Sequence, residues 1–222
     1  QLTYKDISVS SWQILPMKNA LILLLFLSYF TGNAQVEPMQ WQSQLPTSYD
    51  YNDMEVLTSN TIVAVGLTGS FIRSDDAGVN WKFVWTGSLS QLTGVDFTDN
   101  NIGYACGNGN KYYYEQGFLA KTVDGGDSWT SITIPFAANF SDVDFLSADS
   151  GRVCGDSGKV FRTYNGGVTW DSLHFNTTEM SRAIVMVNAD TGFIAGEAGM
   201  IFRTFDGGNT WTSCPPATSD NI

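Results

Sequence analysis

Short apolar runs, broken by polar residues at alternate positions, recur along the chain from residue 54 onward. Met54-Glu55-Val56-Leu57, Gly94-Val95-Asp96-Phe97 and Asp142-Val143-Asp144-Phe145 alternate, while the fourth copy, Ala183-Ile184-Val185-Met186, is apolar throughout. Each is followed by a second run (62–66, 103–107, 151–155, 192–196) and a third (70–74, 117–122, 159–163, 200–204). A fourth run begins each time at a tryptophan. Runs of four to six residues, rich in aromatic and β-branched side chains and separated by glycine-rich turns, predict antiparallel strands in groups of four. No segment beyond residue 34 has the period of a helix.

Between the third and fourth run of every repeat stands the same eight-residue turn. It reads Ser74-Asp75-Asp76-Ala77-Gly78-Val79-Asn80-Trp81, then Thr122-Val123-Asp124-Gly125-Gly126-Asp127-Ser128-Trp129. It returns as Thr163-Tyr164-Asn165-Gly166-Gly167-Val168-Thr169-Trp170 and Thr204-Phe205-Asp206-Gly207-Gly208-Asn209-Thr210-Trp211. Trp41 to Trp81 is 40 residues, Trp81 to Trp129 is 48, and the next two intervals are 41 each. A period of this size marks a solenoid, a propeller or an array. The third-position side chain (Asp76, Asp124, Asn165, Asp206) can accept hydrogen bonds from backbone amides just ahead of it and close the turn. The fifth-position glycine (Gly78, Gly126, Gly167, Gly208) permits a positive φ. The tryptophan then opens the next strand and buries a large flat face. With Ser74, Thr122, Thr163 and Thr204, these positions are read as architectural.

The turn resembles the Asp-box, or BNR repeat, of sialidases, sortilins, some glycoside hydrolases and the photosystem II stability/assembly factor family. Over about residues 41–222 the chain is most similar to that last group, through Gly-x-h-x-Gly followed by Gly-x-h-h-Arg/Lys-Thr/Ser-x-Asp-Gly-Gly-x-Thr-Trp, where h is apolar. The resemblance implies an all-β fold, a β-propeller with four-stranded antiparallel blades, in which the Asp-box lies away from the binding face. About four blades are expected, at 49–86, 87–135, 136–176 and 177–214. Residues 39–46 are expected as a closing outer strand and 215–222 as the start of another blade. Residues 35–222 are thus expected to be part of a larger ring.

Charge and leader add the compartment. The 222 residues carry 11 basic and 22 acidic side chains, a net charge of −11, which disfavours nucleic acid and anionic membrane surfaces. Residues 20–30 form an apolar run after Met17-Lys18-Asn19 and before Thr31-Gly32-Asn33-Ala34. A basic start, a short apolar core and a small residue at the cut read as a signal peptide at 17–34. Residues 1–16 then read as upstream sequence. The expected location is outside the cytoplasm: secreted, periplasmic or at the cell surface, with no stable membrane insertion after cleavage. Cys106 and Cys154 occupy equivalent repeat positions, where the other copies have Val65 and Ala195, so they read as small packing residues. The single histidine, His174, cannot build a histidine-based metal site, and neither metal nor cofactor is expected.

Two features depart from the repeat. Repeat 2 carries an insertion, Gly109-Asn110-Lys111-Tyr112-Tyr113-Tyr114-Glu115-Gln116, placed on the face opposite the Asp-boxes. Three consecutive tyrosines there are a candidate binding patch, or else an extended hairpin covering its own blade. One cation precedes every Asp-box: Arg73, Lys121, Arg162 and Arg203. Glu55, Asp96 and Asp144 are expected to clasp the first three by ion pairs or hydrogen bonds; the alternative is a basic ring that holds an acidic partner, for which Arg203, opposite Val185, is the candidate free cation. For glycosidase chemistry, which needs two carboxylates about 5–9 Å apart, Asp156 and Glu197 are the loop candidates, on neighbouring repeats. The expected function is a non-enzymatic scaffold for a protein or glycan partner. A secreted sialidase-like or endoglucanase-like hydrolase, with part of its site in further blades, is the alternative, and an adhesive domain a third reading.

Overall fold

The computed structural model describes residues 49–109, 117–134, 138–174 and 177–214. The proposed leader, residues 39–46 and 215–222, and Tyr112, Tyr113 and Tyr114 lie outside these described residues.

Four meandering four-stranded antiparallel sheets follow one another along the chain. Blade 1 holds β1 (Tyr51–Val56), β2 (Ile62–Gly66), β3 (Ser70–Ser74) and β4 (Lys82–Trp85). Blade 2 holds β5 (Gln91–Phe97), β6 (Gly103–Asn108), β7 (Phe118–Thr122) and β8 (Thr130–Ser131). Blade 3 holds β9 (Phe140–Phe145), β10 (Gly151–Gly155), β11 (Lys159–Thr163) and β12 (Asp171–His174). Blade 4 holds β13 (Ser181–Met186), β14 (Gly192–Gly196), β15 (Ile201–Thr204) and β16 (Thr212–Ser213). The only helical segments among the described residues are three 3-10 turns, at Leu67–Gly69, Asp156–Gly158 and Glu197–Gly199. Each Asp-box tryptophan immediately precedes a fourth strand, as the sequence predicts.

The first strands pack in series, β1 on β5, β5 on β9 and β9 on β13, so each blade has a leading and a trailing face. Three apolar clusters fill the three seams. Val63, Val65 and Phe71 of blade 1 meet Leu92, Val95, Phe97 and Ala105 of blade 2. Tyr104, Cys106 and Leu119 of blade 2 meet Phe140, Val143, Phe145, Val153, Phe161 and Trp170 of blade 3. Cys154 and Val160 of blade 3 meet Ile184 and Ile194 of blade 4. Cys106 and Cys154 are fully buried thiols inside this packing, consistent with their use as small hydrophobes.

The first strands begin two or three residues earlier than the alternation suggests, because each holds a β-bulge. The register slips at Asn52, Thr93, Ser141 and Arg182, at the same place in all four blades. A bulge inserts one residue and breaks the period of two, which hides the strand's beginning from a pattern reading. Two bulge side chains cross a seam: Asn52 donates to the Leu92 carbonyl at 2.6 Å and Thr93 to the Phe140 carbonyl at 2.8 Å.

Candidate functional site

The four Asp-box turns close in one way. The first-position hydroxyl accepts the amide of the fifth-position glycine: Gly78 to Ser74 (2.8 Å), Gly126 to Thr122 (2.8 Å), Gly167 to Thr163 (3.0 Å) and Gly208 to Thr204 (2.9 Å). The third-position oxygen accepts the amide four residues on: Asn80 to Asp76, Ser128 to Asp124, Thr169 to Asn165 and Thr210 to Asp206. It also receives the first-position hydroxyl in every copy. The aspartate therefore satisfies one backbone amide rather than several. The hydroxyl accepts two, the fifth-position glycine's and, at 3.3–3.4 Å, the third-position residue's own amide, and it is the buried member of the pair. Hydrogen bonds from Ser128 and Thr210, side chain first and backbone second, hold Asp124 and Asp206 down at about 2.

The fifth glycines have φ of 86° to 90°, where a side chain is strained. In blades 2 to 4 they also lie against the preceding blade. A Cβ on Gly126 would meet the Phe71 ring, one on Gly167 would meet Ile132, and one on Gly208 would approach Arg152. The Asp-box is thus a turn and also the foot of a seam. Trp129 packs edge-on against Phe71 of blade 1 and Phe97 of its own blade, and Trp170 joins the cluster between blades 2 and 3. Trp81 and Trp170 donate their indole N–H to the carbonyls of Gly78 and Gly167. Trp211 packs against the cluster between blades 3 and 4.

The cations do not pair with Glu55, Asp96 and Asp144 as the sequence suggests. Strand register puts one residue between them, giving rows across each trailing face: Glu55, Val63, Arg73, Lys82 in blade 1 and Asp96, Tyr104, Lys121, Thr130 in blade 2. Blade 3 has Asp144, Arg152, Arg162, Asp171, and blade 4 has Val185, Phe193, Arg203, Thr212. The cations reach forward to the next blade's turn. Arg73 donates to the Gly125 carbonyl, Lys121 to that of Gly166 (3.5 Å) and buried Arg152 to that of Gly207 (2.7 Å). Lys82 pairs with Asp127 at 2.7 Å, and Arg162 donates to Asn209 Oδ1 at 2.6 Å. Arg203 is exposed and lies over the Phe205 ring, 5.2 Å from its centroid.

The carboxylates reach forward too, to backbone. Glu55 accepts the Phe97 amide (2.8 Å), Asp96 the Phe145 amide (2.6 Å) and Asp144 the Met186 amide (3.0 Å). A second tier, which pattern reading missed, adds Asp53 to Val95 and Asp142 to Ile184, both 3.0 Å. Each first strand is the edge of its sheet, so its outward amides need acceptors, and the preceding blade supplies them. Blade 2 has Gly94 in the second tier. There Asp142 caps the Val143 amide with Oδ1 while Oδ2 reaches forward. A Cβ on Gly94 would stand 3.0 Å from Asp142 Oδ1. Burial, with Asp96 nearby, pushes Glu55 up to about 8 despite the Phe97 amide, and burial pushes Asp96 up to about 7. Burial also raises Asp144, against its Met186 amide and Arg152. Raised carboxyls are candidates for acid–base catalysis, but each of these is wedged in a seam against backbone.

The loop carboxylates are also engaged. Asp156 Oδ2 accepts the Asn139 backbone amide (3.1 Å) and side-chain amide (2.9 Å), and Glu197 pairs with Arg182. They lie in equivalent turns of blades 3 and 4. Among the described residues no group of three or more His, Cys, Asp or Glu is arranged to hold a metal.

These features have relatives. The sequence model of the family described as photosynthesis system II assembly factor YCF48 matches residues 120–218. No curated protein sequence matches the chain. Among solved structures, YCF48 bound to D1 peptide aligns with a TM-score of 0.52 at 17% identity, covering 77% of this chain and 82% of that one. YCF48 from Cyanidioschyzon merolae aligns with a TM-score of 0.56 at 17% identity, over 76% of this chain and 60% of the other. The GH74 enzyme of Niastella koreensis aligns with a TM-score of 0.60 at 17% identity, over 76% of this chain but 30% of the enzyme. The chain is a BNR-type β-propeller, similar in sequence to the YCF48 group and in fold to both groups.

Proposed function

We propose that this chain is an exported, non-enzymatic propeller scaffold that binds a segment of a partner protein on the face opposite its Asp-boxes. The observation that carries the reading is the YCF48-type sequence match over residues 120–218, joined to a fold shared with a YCF48 that holds a D1 peptide. The engagement of Asp156 by Asn139 and of Glu197 by Arg182 supports it, since neither carboxylate is left poised for hydrolysis. The Tyr112–Tyr114 insertion is the nominated contact: tyrosines offer amphipathic surface at low entropic cost. Export rests on the leader at 17–34.

Fold similarity to GH74 enzymes supports a second reading, glycan binding or cleavage. One experiment separates the two. The purified chain is titrated against a displayed peptide library and against xyloglucan oligosaccharides, with released reducing ends measured in parallel. The scaffold reading expects selected peptides whose affinity falls at least tenfold when Tyr112, Tyr113 and Tyr114 are all replaced by Ser, with an unchanged melting temperature. Release of reducing ends from xyloglucan, or peptide affinity indifferent to the triple replacement, would overturn it.

A further inference from the structure

Three of the four Asp-box turns carry aspartate at position three, and the third carries Asn165 followed by Gly166. The side-chain amide of asparagine is chemically labile, and the residue after it governs how fast it reacts. A glycine there leaves its backbone nitrogen unhindered, since no Cβ stands in the way. That nitrogen attacks Cγ of the asparagine. An N–C bond forms, the Cγ–Nδ2 bond breaks, and Nδ2 leaves as ammonia with the proton that the backbone nitrogen gives up. Water then opens the cyclic imide at one of its two carbonyls, giving aspartate or isoaspartate. Asn165 is exposed, so water reaches it.

The closed turn holds both reacting groups. The Gly166 amide donates to the Asp149 carbonyl at 2.9 Å. Asn165 Oδ1 accepts the Thr169 amide (2.9 Å) and the Thr163 hydroxyl (3.0 Å), while Nδ2 donates to Thr169 Oγ1 at 2.8 Å. Bringing Cγ onto the Gly166 nitrogen requires these bonds to open. The turn also has a seat for a carboxylate. In blades 2 and 4, Ser128 and Thr210 donate their hydroxyls to Oδ2 of Asp124 and Asp206, each at 2.6 Å. Conversion at 165 needs only a reversal of the bond with Thr169, whose hydroxyl donates to an oxygen instead of accepting from Nδ2. Lys121 Nζ, 3.5 Å from the Gly166 carbonyl oxygen, supplies a cation nearby.

We propose that Asn165 is a site of spontaneous deamidation held in check by the closed turn, and that the turn keeps the aspartate product but rejects isoaspartate. Isoaspartate carries the chain through Cγ and adds a methylene to the backbone. The amides of Gly167 and Thr169 then no longer fall on the Thr163 hydroxyl and the side-chain oxygen at 165. The chain's other Asn-Gly step, Asn108-Gly109, has no such seat. Asn108 Oδ1 is buried without a hydrogen-bond partner among the described residues, and a carboxylate there would be buried without compensation.

The test holds the folded chain and the urea-denatured chain in parallel at alkaline pH. Peptide mass spectrometry, with aspartate and isoaspartate separated by chromatography, follows residue 165. The denatured chain should convert at least about tenfold faster than the folded one, because the reaction in the folded chain waits on local opening. Once the denaturant is removed, the refolded fraction should carry asparagine or aspartate at 165, and isoaspartate should collect in the fraction that fails to refold. Made directly, Asn165→Asp should melt no lower than the wild type. Equal rates in the folded and denatured chains would overturn the inference. So would isoaspartate shared evenly between the two fractions, or an Asn165→Asp chain that melts below the wild type.

Discussion

At the scale of single residues, the Asp-box divides its work between an exposed carboxylate and a buried hydroxyl. Thr122 Oγ1 takes the Gly126 amide and gives its own hydrogen to Asp124. Thr122→Val keeps the shape and removes these two bonds and the longer one from the Asp124 amide, leaving the buried Gly126 amide without an acceptor. Chemical denaturation should show a loss of about 1–3 kcal/mol, and a larger loss than Asp124→Asn, which keeps an acceptor as Asn165 does in the third turn. Equal losses for the two variants would mean that the carboxylate, not the hydroxyl, closes the turn. Position three was visible in the sequence because an acidic residue recurs there. The larger role of position one was not, because Ser and Thr are common everywhere and a pattern reading does not show which of them are buried.

At the scale of the element, each inner strand is a sheet edge whose outward amides are capped from the blade before. Glu55, Asp96 and Asp144 stood out in the sequence as a recurring carboxylate, but register puts a strand between them and the cations, so the expected ion-pair clasp does not form. The bulges at Asn52, Thr93, Ser141 and Arg182 were illegible for a related reason: one inserted residue shifts the alternation that defines a strand. The caps have a pH consequence. Glu55, raised from 4.5 to about 8, and Asp96, raised from 3.8 to about 7, bind protons more tightly in the folded chain than in the unfolded one. Their contribution is whole below about pH 4 and is lost as pH rises towards 8. Asp124 and Asp206, lowered from 3.8 to about 2, act in the opposite window, and their contribution is lost as pH falls from about 4 to 2. The melting temperature should therefore peak near pH 4 to 5 and decline towards pH 8. Glu55→Gln, which can still accept the Phe97 amide without ionising, should flatten the decline. A wild-type melting temperature that rises between pH 5 and 8 would contradict this assignment.

At the scale of the whole molecule, the propeller was legible because four copies of one turn at a near-constant period leave few alternatives. The seams were not, because they depend on which residues of one repeat meet which of the next. The cations before the Asp-boxes show the difference. Their recurrence was plain, yet three of them bind the following blade's turn, and Arg203 is set apart by the face it stands on. The Tyr112–Tyr114 insertion, nominated because it breaks the repeat, lies outside the described residues, so its role rests on the binding experiment.

Side chains of blades 1, 2 and 3 satisfy the edge amides of the blade that follows. Amide hydrogen exchange resolved to single residues tests it most directly. The amides of Val95, Phe97, Phe145, Ile184 and Met186, all on edge strands, should be as protected as amides inside the ladders. Glu55→Ala should release Phe97 by at least an order of magnitude while leaving Phe145 and Met186 unchanged. Exchange of the five amides at the rate of open edge positions in the wild-type chain, or a Phe97 amide indifferent to the loss of Glu55, would contradict the account.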